Sequence, residues 1–289
     1  MHRTVVCLGV GEGMLVRFHG VRGSTPCHGD EIARYGGNTS CVSVLAEGED
    51  PLLFDLGTGL RYFGPKCGQP FRGTSLVSHL HWDHVQGLPF FSPLQHADTQ
   101  LTVYAPSEDH GRSAADVLAS TICPPLFPVG LDAFPGRIDV REPAPSFRVG
   151  GFEIETTAVP HVGEALGYRV THGGASVAYI SDHQQPTSGA HIAEGVVELC
   201  RDVDLLIHDA QYTAAEFARK STWGHCTVEY AVWLAAEVGA RRLALYHHDP
   251  THDDDMIDRL AVGAAACGRA MGVEVFAARE GLTVELRGR

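Results

Sequence analysis

The stretch that decides the fold is Ser78-His79-Leu80-His81-Trp82-Asp83-His84, which places four metal-binding side chains within six residues. It follows a strand-like run, and side chains two apart on an extended segment project to the same side. His79 and His81 can therefore bind one ion. Asp83 and His84 come from the turn into the next helix and can face a second ion. Imidazole and carboxylate ligands suit zinc, manganese or iron(II), so this stretch predicts a dinuclear metal site.

The pattern of apolar residues around this stretch predicts strands followed by helices in both halves of the chain. The predicted strands cover residues 15–19, 41–46, 52–55, 75–79, 101–105, 152–156, 167–171, 176–180, 204–208 and 243–247. The predicted helices cover residues 190–200, 228–238 and 254–271. This order favours sheets covered by helices in one compact unit.

We expect residues 14–289 to form a single domain, because the strand pattern begins cleanly at Met14. Residues 1–13 are then an N-terminal extension, and Met14 is a candidate for the biological start. The region 107–145 is rich in proline, which breaks regular structure. It is either a surface excursion or lid, or an ordinary long connection.

The chain resembles the metallo-β-lactamase-fold superfamily from Met14 onward, because His79-x-His81-x-Asp83-His84 matches the superfamily's H-x-H-x-D-H signature. Four further motifs occur in the superfamily's order. Phe54-Asp55-Leu56-Gly57-Thr58-Gly59 precedes the signature, and Pro160-His161, Ile180-Ser181-Asp182 and Leu245-Tyr246-His247-His248-Asp249-Pro250 follow it. The resemblance implies an α/β (α+β) fold, a four-layer αββα sandwich with the metals at one edge of the sheets.

The resemblance also implies a set of metal ligands. The first ion takes His79, His81 and His161, and the second takes Asp83, His84 and His247. Asp182 and a water or hydroxide bridge the two ions. His248 is an alternative to His247, which its position in the motif favours. Two divalent ions are expected, with zinc favoured over manganese or iron.

Two more stretches resemble the tRNase Z and phosphodiesterase branch of the superfamily, and they contain Asp209 and His225. Residues 20–26 and 34–40 resemble proteins grouped with the phosphoribosyl cyclic phosphodiesterases. The implied catalytic residues are Asp83, Asp209 and His225, with His225 as proton donor to the leaving alkoxide. The alternative for His225 is a purely structural place beside the helix N-cap at Thr227.

The residues proposed to bind the substrate phosphate are Arg22, Ser24, Arg34, Asn38 and Thr39. Arginine suits phosphate oxygens, although either arginine could instead form an ion pair in this acidic protein. The expected function is hydrolysis of a small, perhaps cyclic, phosphodiester by a metal-bridging hydroxide.

The composition disfavours an extended nucleic acid as partner, since 289 residues carry a formal net charge of −13. The alternatives are tRNA 3′ processing, hydrolysis of a lactone, thioester or β-lactam, and a metal-binding accessory role without turnover. Members that process tRNA carry a flexible arm before the bridging aspartate, but twenty residues separate His161 from Asp182 here.

The eight cysteines are scattered and form no C-x-x-C pair, so reduced thiols in the cytoplasm are expected. No apolar run approaches the roughly 20 residues of a membrane-spanning helix. The resemblance adds a homodimer as an expected assembly.

Overall fold

The computed structural model describes residues 13–107, 111–189 and 191–288, which form two seven-stranded sheets. The expected N-terminal extension, residues 1–13, lies outside the described residues except for Gly13. The strands are β1 (Met14–Gly20), β2 (Cys41–Ala46), β3 (Leu52–Phe54), β4 (Arg72–Leu76), β5 (Gln100–Tyr104), β6 (Arg137–Arg141), β7 (Ser146–Val149), β8 (Phe152–Ala158), β9 (Leu166–His172), β10 (Ala175–Ile180), β11 (Leu205–Asp209), β12 (Arg242–Tyr246), β13 (Glu274–Ala277) and β14 (Thr283–Leu286).

Parallel pairing brings the ends of several strands to the same edge. The first sheet has the order β14-β1-β2-β3-β4-β5-β6, with parallel pairing from β3 to β6. The second has the order β13-β12-β11-β10-β9-β8-β7, with parallel pairing from β10 to β13. Since β9 is antiparallel to both of its neighbours, β8 runs in the same direction as β10. The loops that follow these parallel strands therefore meet at the carboxyl edge of each sheet.

Helices cover the outer face of each sheet. They are α1 (Leu60–Phe63), α2 (Trp82–Val85), α3 (Ala114–Thr121), α4 (Glu194–Cys200), α5 (Ala214–Lys220), α6 (Val228–Glu237) and α7 (Asp254–Ala270). One core cluster lies between the sheets, where the rings of Phe54 and Tyr179 stack at 4.6 Å. A second lies under α4, α6 and α7, and a third under α1 and α3. Four layers result, and the predicted αββα sandwich is confirmed.

The structure corrects three boundaries. The strand expected to reach His79 ends at Leu76, so both histidines lie in the loop beyond it. The helix expected over 190–200 begins at Glu194. The region 107–145 contains α3 and β6, and β6 pairs with β5 at the edge of the first sheet. Its sequence RIDVR alternates charged and apolar residues, which suits a half-exposed edge strand.

No helix in the described ranges is long and apolar enough to cross a membrane.

Candidate metal centre

The site lies in the loops after four strands. The loop after β4 carries His79 and His81, the loop after β8 carries His161, and Asp182 follows β10. His247 directly follows β12. The outermost of these residues, His79 and His247, are 168 positions apart in the chain (247 − 79), and the direction of the strands brings both to one edge.

The first ligand group consists of His79, His81 and His161, whose nearest ring nitrogens lie within 4.8 Å of one another. His79 Nε2 is 2.9 Å from His81 Nδ1, and His161 Nε2 is 3.2 Å from the same nitrogen. His79 is buried, whereas His81 is exposed. This side of the site is therefore open to solvent.

The second ligand group consists of Asp83, His84 and His247, all buried. Asp83 Oδ2 is 3.2 Å from Nε2 of His84 and 3.2 Å from Nε2 of His247. His248 lies outside both groups, because its Nε2 is 2.9 Å from the carbonyl oxygen of Ala278. Burial lowers the pKa of His248 to about 3, as expected of a neutral histidine in the core.

Asp182 lies between the two groups, with one carboxylate oxygen toward each. Its Oδ1 is 3.2 Å from His84 Nε2 and 3.5 Å from His247 Nε2. Its Oδ2 is 3.8 Å from His79 Nε2 and 3.9 Å from His161 Nε2. One carboxylate can therefore contact ions in both groups.

Hydrogen bonds on the far side of the histidine rings leave the other nitrogens free for an ion. Nδ1 of His84 donates to Asp55 Oδ2 at 2.7 Å, and Nδ1 of His161 donates to the carbonyl of Gly224 at 2.8 Å. Nδ1 of His247 donates to the side-chain carbonyl of Gln211 at 2.8 Å. In each ring this leaves Nε2 with its lone pair toward the cluster.

Two buried atoms at the centre have no hydrogen-bond partner: His84 Nε2 and Asp182 Oδ1. A buried polar atom without a partner is costly, and a cation between these two atoms would satisfy both. Burial on its own would lower the pKa of His84, but the Asp83, Asp182 and Asp55 carboxylates together raise it well above the usual range. The surroundings therefore favour positive charge at this point. The donor set fits two divalent cations.

Asp209 and His225 form a buried pair beside the cluster. His225 Nδ1 is 3.0 Å from Asp209 Oδ2 and 3.6 Å from Asp182 Oδ2. Burial would lower the pKa of His225, but the two carboxylates together raise it above the ordinary value for histidine. Asp182, His225 and His247 also form a compact group, so geometry alone permits His225 as a ligand. The contact of Nδ1 with Asp209 fixes the orientation of the imidazole beside the cluster.

Ser24 is the substrate-binding candidate that lies at the cluster. Its backbone N–H donates to Asp83 Oδ2 at 2.8 Å, and its side chain is exposed. Its hydroxyl oxygen also accepts from Nε2 of Gln211 at 3.3 Å.

The two arginine candidates are engaged elsewhere. Arg22 is fully buried and donates to the carbonyls of Gly36, Asp249 and His252. Arg34 is exposed and pairs with acidic residues of α7. Arg34 thus follows the ion-pair alternative and ties the N-terminal loop to α7, whereas Arg22 ties this loop to the segment before α7 through backbone carbonyl groups.

Asn38 and Thr39 also have structural partners. Asn38 Nδ2 donates to the carboxylate of Glu280, at 3.0 and 3.1 Å from its two oxygens. Thr39 is buried, and its hydroxyl oxygen accepts from the backbone N–H of Thr58 at 2.9 Å. These contacts position the loop after β3, so neither residue enters our proposal as a substrate ligand.

Residues outside the predicted ligand set also support the site. Asp55 accepts from the hydroxyl of Tyr179 at 2.6 Å and from the backbone N–H of Ser78 at 2.7 Å. Gln211 orients His247, and its position two residues after Asp209 was the one available clue. Tyr179 lies mid-strand and reads as an ordinary core residue.

The family becomes evident from the comparison of this chain with known proteins. A model of the β-lactamase superfamily domain matches residues 53–248, which include both ligand groups and Asp182. The chain belongs to the β-lactamase superfamily.

Three similar proteins illustrate the position of the chain in this superfamily. A ribonuclease Z from Natronomonas pharaonis is 27% identical, over 86% of this chain and 92% of the relative. The metallo-β-lactamase-fold protein YhfI from Bacillus subtilis has a TM-score of 0.70 and 21% identity, covering 95% of this chain and 99% of YhfI. A diphosphatase from the PhnP family has a TM-score of 0.65 and 17% identity, covering 94% and 97%.

Proposed function

We propose that this β-lactamase-superfamily protein is a metal-dependent hydrolase of a small phosphodiester. The observation that carries the proposal is the Asp209–His225 pair, with 3.0 Å between His225 Nδ1 and Asp209 Oδ2, directly beside Asp182. Hydrolysis of a diester releases an alkoxide, which leaves poorly unless it is protonated. A buried imidazole with a raised pKa, oriented by a carboxylate, suits that task.

The proposed roles divide among the residues already described. His79, His81 and His161 would hold one divalent ion, Asp83, His84 and His247 would hold the other, and Asp182 lies close enough to serve both groups. Bound divalent ions would supply polarisation of a phosphoryl oxygen and activation of a water near neutral pH. Asp209 holds His225 in the orientation in which its free nitrogen donates a proton to the leaving oxygen.

A small substrate is favoured over RNA by charge and by topology. The formal net charge of −13 repels a polyanion. The segment between His161 and Asp182 is occupied by the short hairpin β9–β10, turned at Gly173 and Gly174, with no inserted arm. The similarity to a ribonuclease Z supports phosphodiester chemistry and keeps RNA cleavage as the second candidate.

We propose zinc as the native metal, with manganese and iron(II) as the alternatives, because the ligand set is rich in imidazole. Metal analysis of protein purified without added metal tests this. Two zinc ions per chain are expected, and a ratio near two for another metal would replace zinc in the proposal.

We also propose a cytoplasmic location and a homodimer. The cysteines of the described ranges are all free thiols, which suits a reducing compartment. Cell fractionation and light scattering of the purified protein test the two statements independently.

The deciding experiment follows cleavage of bis(p-nitrophenyl) phosphate by zinc- or manganese-loaded protein, with and without chelator. We expect chelator-sensitive cleavage that Asp182→Ala abolishes, whereas His225→Ala should largely retain it because p-nitrophenolate leaves without a proton. With an alkyl phosphodiester, whose alkoxide needs that proton, His225→Ala should reduce the rate by roughly 10²–10⁴-fold. His96→Ala, at an exposed histidine remote in sequence from every ligand, is the matched control and retains activity.

Parallel wells contain a lactone, a thioester, a β-lactam and a tRNA precursor. A fully loaded protein that cleaves one of these and no small diester would contradict the proposal. A loaded protein that cleaves nothing would favour the accessory role.

A further inference from the structure

Three exposed apolar side chains neighbour residues of the metal centre in the sequence. Among the described residues, nine large apolar side chains are exposed, and three of these lie within two residues of a site residue in the sequence. Trp82 adjoins His81 and is 50% exposed, and Val162 adjoins His161 and is 52% exposed. Trp223 precedes His225 by two residues and is 61% exposed. Isolated exposed apolar residues are ordinary, but a concentration at a cleft marks a ligand surface.

Trp223 is in a loop that is fixed to the metal centre. The following residue, Gly224, donates its N–H to Gln184 Oε1 at 2.8 Å and accepts from His161 Nδ1 at 2.8 Å. Gln184 also donates to the carbonyl of Ser221 at 2.8 Å. The indole is therefore attached to a backbone whose position is set by a proposed metal ligand, although the ring itself is solvent-exposed.

A series of side-chain contacts connects Trp223 to His225, the proposed proton donor. Lys220 Nζ lies 5.5 Å from the centroid of the Trp223 ring and 4.8 Å from that of Tyr212. The Tyr212 ring meets the His225 ring edge-to-face at 5.5 Å. Lys220 is held in this place by an ion pair with Asp249 at 3.0 Å. The ammonium thus faces both aromatic rings, and most of the Trp223 surface remains open to a ligand.

We infer that Trp223 is a stacking platform for a planar heterocycle on the leaving-group side of the substrate, which makes the substrate a nucleotide-type phosphodiester. The inference rests on the proposed function, because His225 defines the leaving-group side. An exposed indole on a backbone that is hydrogen-bonded to the site is suited to a nucleobase, because base–aromatic stacking is favourable for every base and requires no hydrogen-bond readout. A cyclic sugar phosphate without a base would leave this surface unused.

The test measures binding without turnover, using zinc-loaded protein and two phosphomonoester probes. Adenosine 5′-monophosphate and ribose 5-phosphate carry the same sugar and phosphate, and only the first has a planar base. We expect the adenosine probe to bind on the order of tenfold more tightly and to quench tryptophan fluorescence. Trp223→Leu removes this preference, whereas Trp223→Phe retains much of it because a planar ring remains. Because the proposal makes Trp223 the source of the quenched fluorescence, the quench should disappear in both variants.

Equal binding of the two probes by the wild-type protein, or an unchanged preference in Trp223→Leu, overturns the inference. Circular dichroism and zinc content of Trp223→Leu establish that its fold and metal centre are intact. Chelator-sensitive cleavage of bis(p-nitrophenyl) phosphate by the wild-type protein tests the proposed function separately. If the wild-type protein cleaves bis(p-nitrophenyl) phosphate but binds the two probes equally, only the stacking platform is refuted and the proposed function stands. Base-dependent binding without cleavage of any diester refutes the proposed function and leaves the platform standing.

Discussion

At the scale of single residues, three non-glycine residues of the metal centre have left-handed backbone conformations. The φ angles are 62° at Ser24, 56° at Asp55 and 58° at His247. Such conformations cost of order 1–3 kcal/mol each and persist where surrounding contacts enforce them. Here the contacts are those of the site itself: Ser24 N–H to Asp83, Asp55 to His84, and His247 to Gln211.

Asp209→Asn is expected to shift the pH dependence of catalysis. The Asp209 carboxylate helps to raise the pKa of His225, so the acid form persists to higher pH and activity falls as pH rises through that pKa. Without the charge, burial dominates and the pKa falls, which moves the alkaline limb of the kcat profile to lower pH. At neutral pH kcat falls by up to the roughly 10²–10⁴-fold that a general acid contributes. Stopped-flow or steady-state rates across pH measure this. An alkaline limb that stays in place in Asp209→Asn would assign it to another group.

Gly224→Ala is expected to disrupt the first ligand group. Gly224 has φ +94°, and a Cβ there would overlap the ring of His161. Gly163→Ala is the matched control, because Gly163 has φ +84° and open space around the Cβ position. Both variants carry the same backbone strain, of about 1 kcal/mol or more. Only Gly224→Ala should also lose zinc, as measured by metal content after dialysis. Equal zinc retention in the two variants would show that the ring of His161 can move without loss of the ion.

At the scale of elements, the site is built from the ends of strands and the starts of helices. Strands β4, β8, β10 and β12 end within a few residues of a ligand, and α2 begins inside the ligand motif. Apolar runs predict such strands well, since burial of the strand is what produces the run. Loop residues beyond a strand end carry no periodicity, so the sequence predicts β4 three residues too far along the chain and does not predict the carbonyl contacts of Arg22 or the Glu280 contact of Asn38.

The N-cap residue of α6, Thr227, lies two residues after His225, the proposed proton donor. Thr227 accepts from the N–H of Tyr230 at 3.1 Å. Thr227→Ala should lower the free energy of unfolding by about 1 kcal/mol, and Thr227→Ser should restore most of it, because the cap needs the hydroxyl oxygen. Urea denaturation of the zinc-loaded protein measures both. A serine variant as unstable as the alanine variant would indicate that the threonine methyl group, and not the cap, is what matters.

At the scale of the whole molecule, the metal centre joins the two sheets. The second ligand group takes Asp83 and His84 from the first sheet's loops and His247 from the second, and Asp182 contacts both groups. Metal binding should therefore stabilise the folded chain as a unit. At free zinc near 100 times Kd the gain is about 2.7 kcal/mol, which corresponds to a rise in Tm of roughly 4–5 °C for a chain of 289 residues. Differential scanning calorimetry with and without chelator measures it. Asp182→Ala should lose the zinc-dependent rise, and retention of the full rise in that variant would contradict a shared ligand.

The ligand motif and the order of the later motifs can be predicted from the sequence, because closely spaced histidines and buried strands leave local patterns in the residues. The four-layer sandwich was implied by the resemblance to the metallo-β-lactamase-fold superfamily that these motifs carry. Tertiary structure alone decided which side chains converge. It placed His247 in the cluster and directed His248 to the carbonyl of Ala278, although the two are adjacent in sequence. It also buried Arg22 against three carbonyl groups, two of them more than 200 residues away, and no local pattern encodes a contact made across that distance.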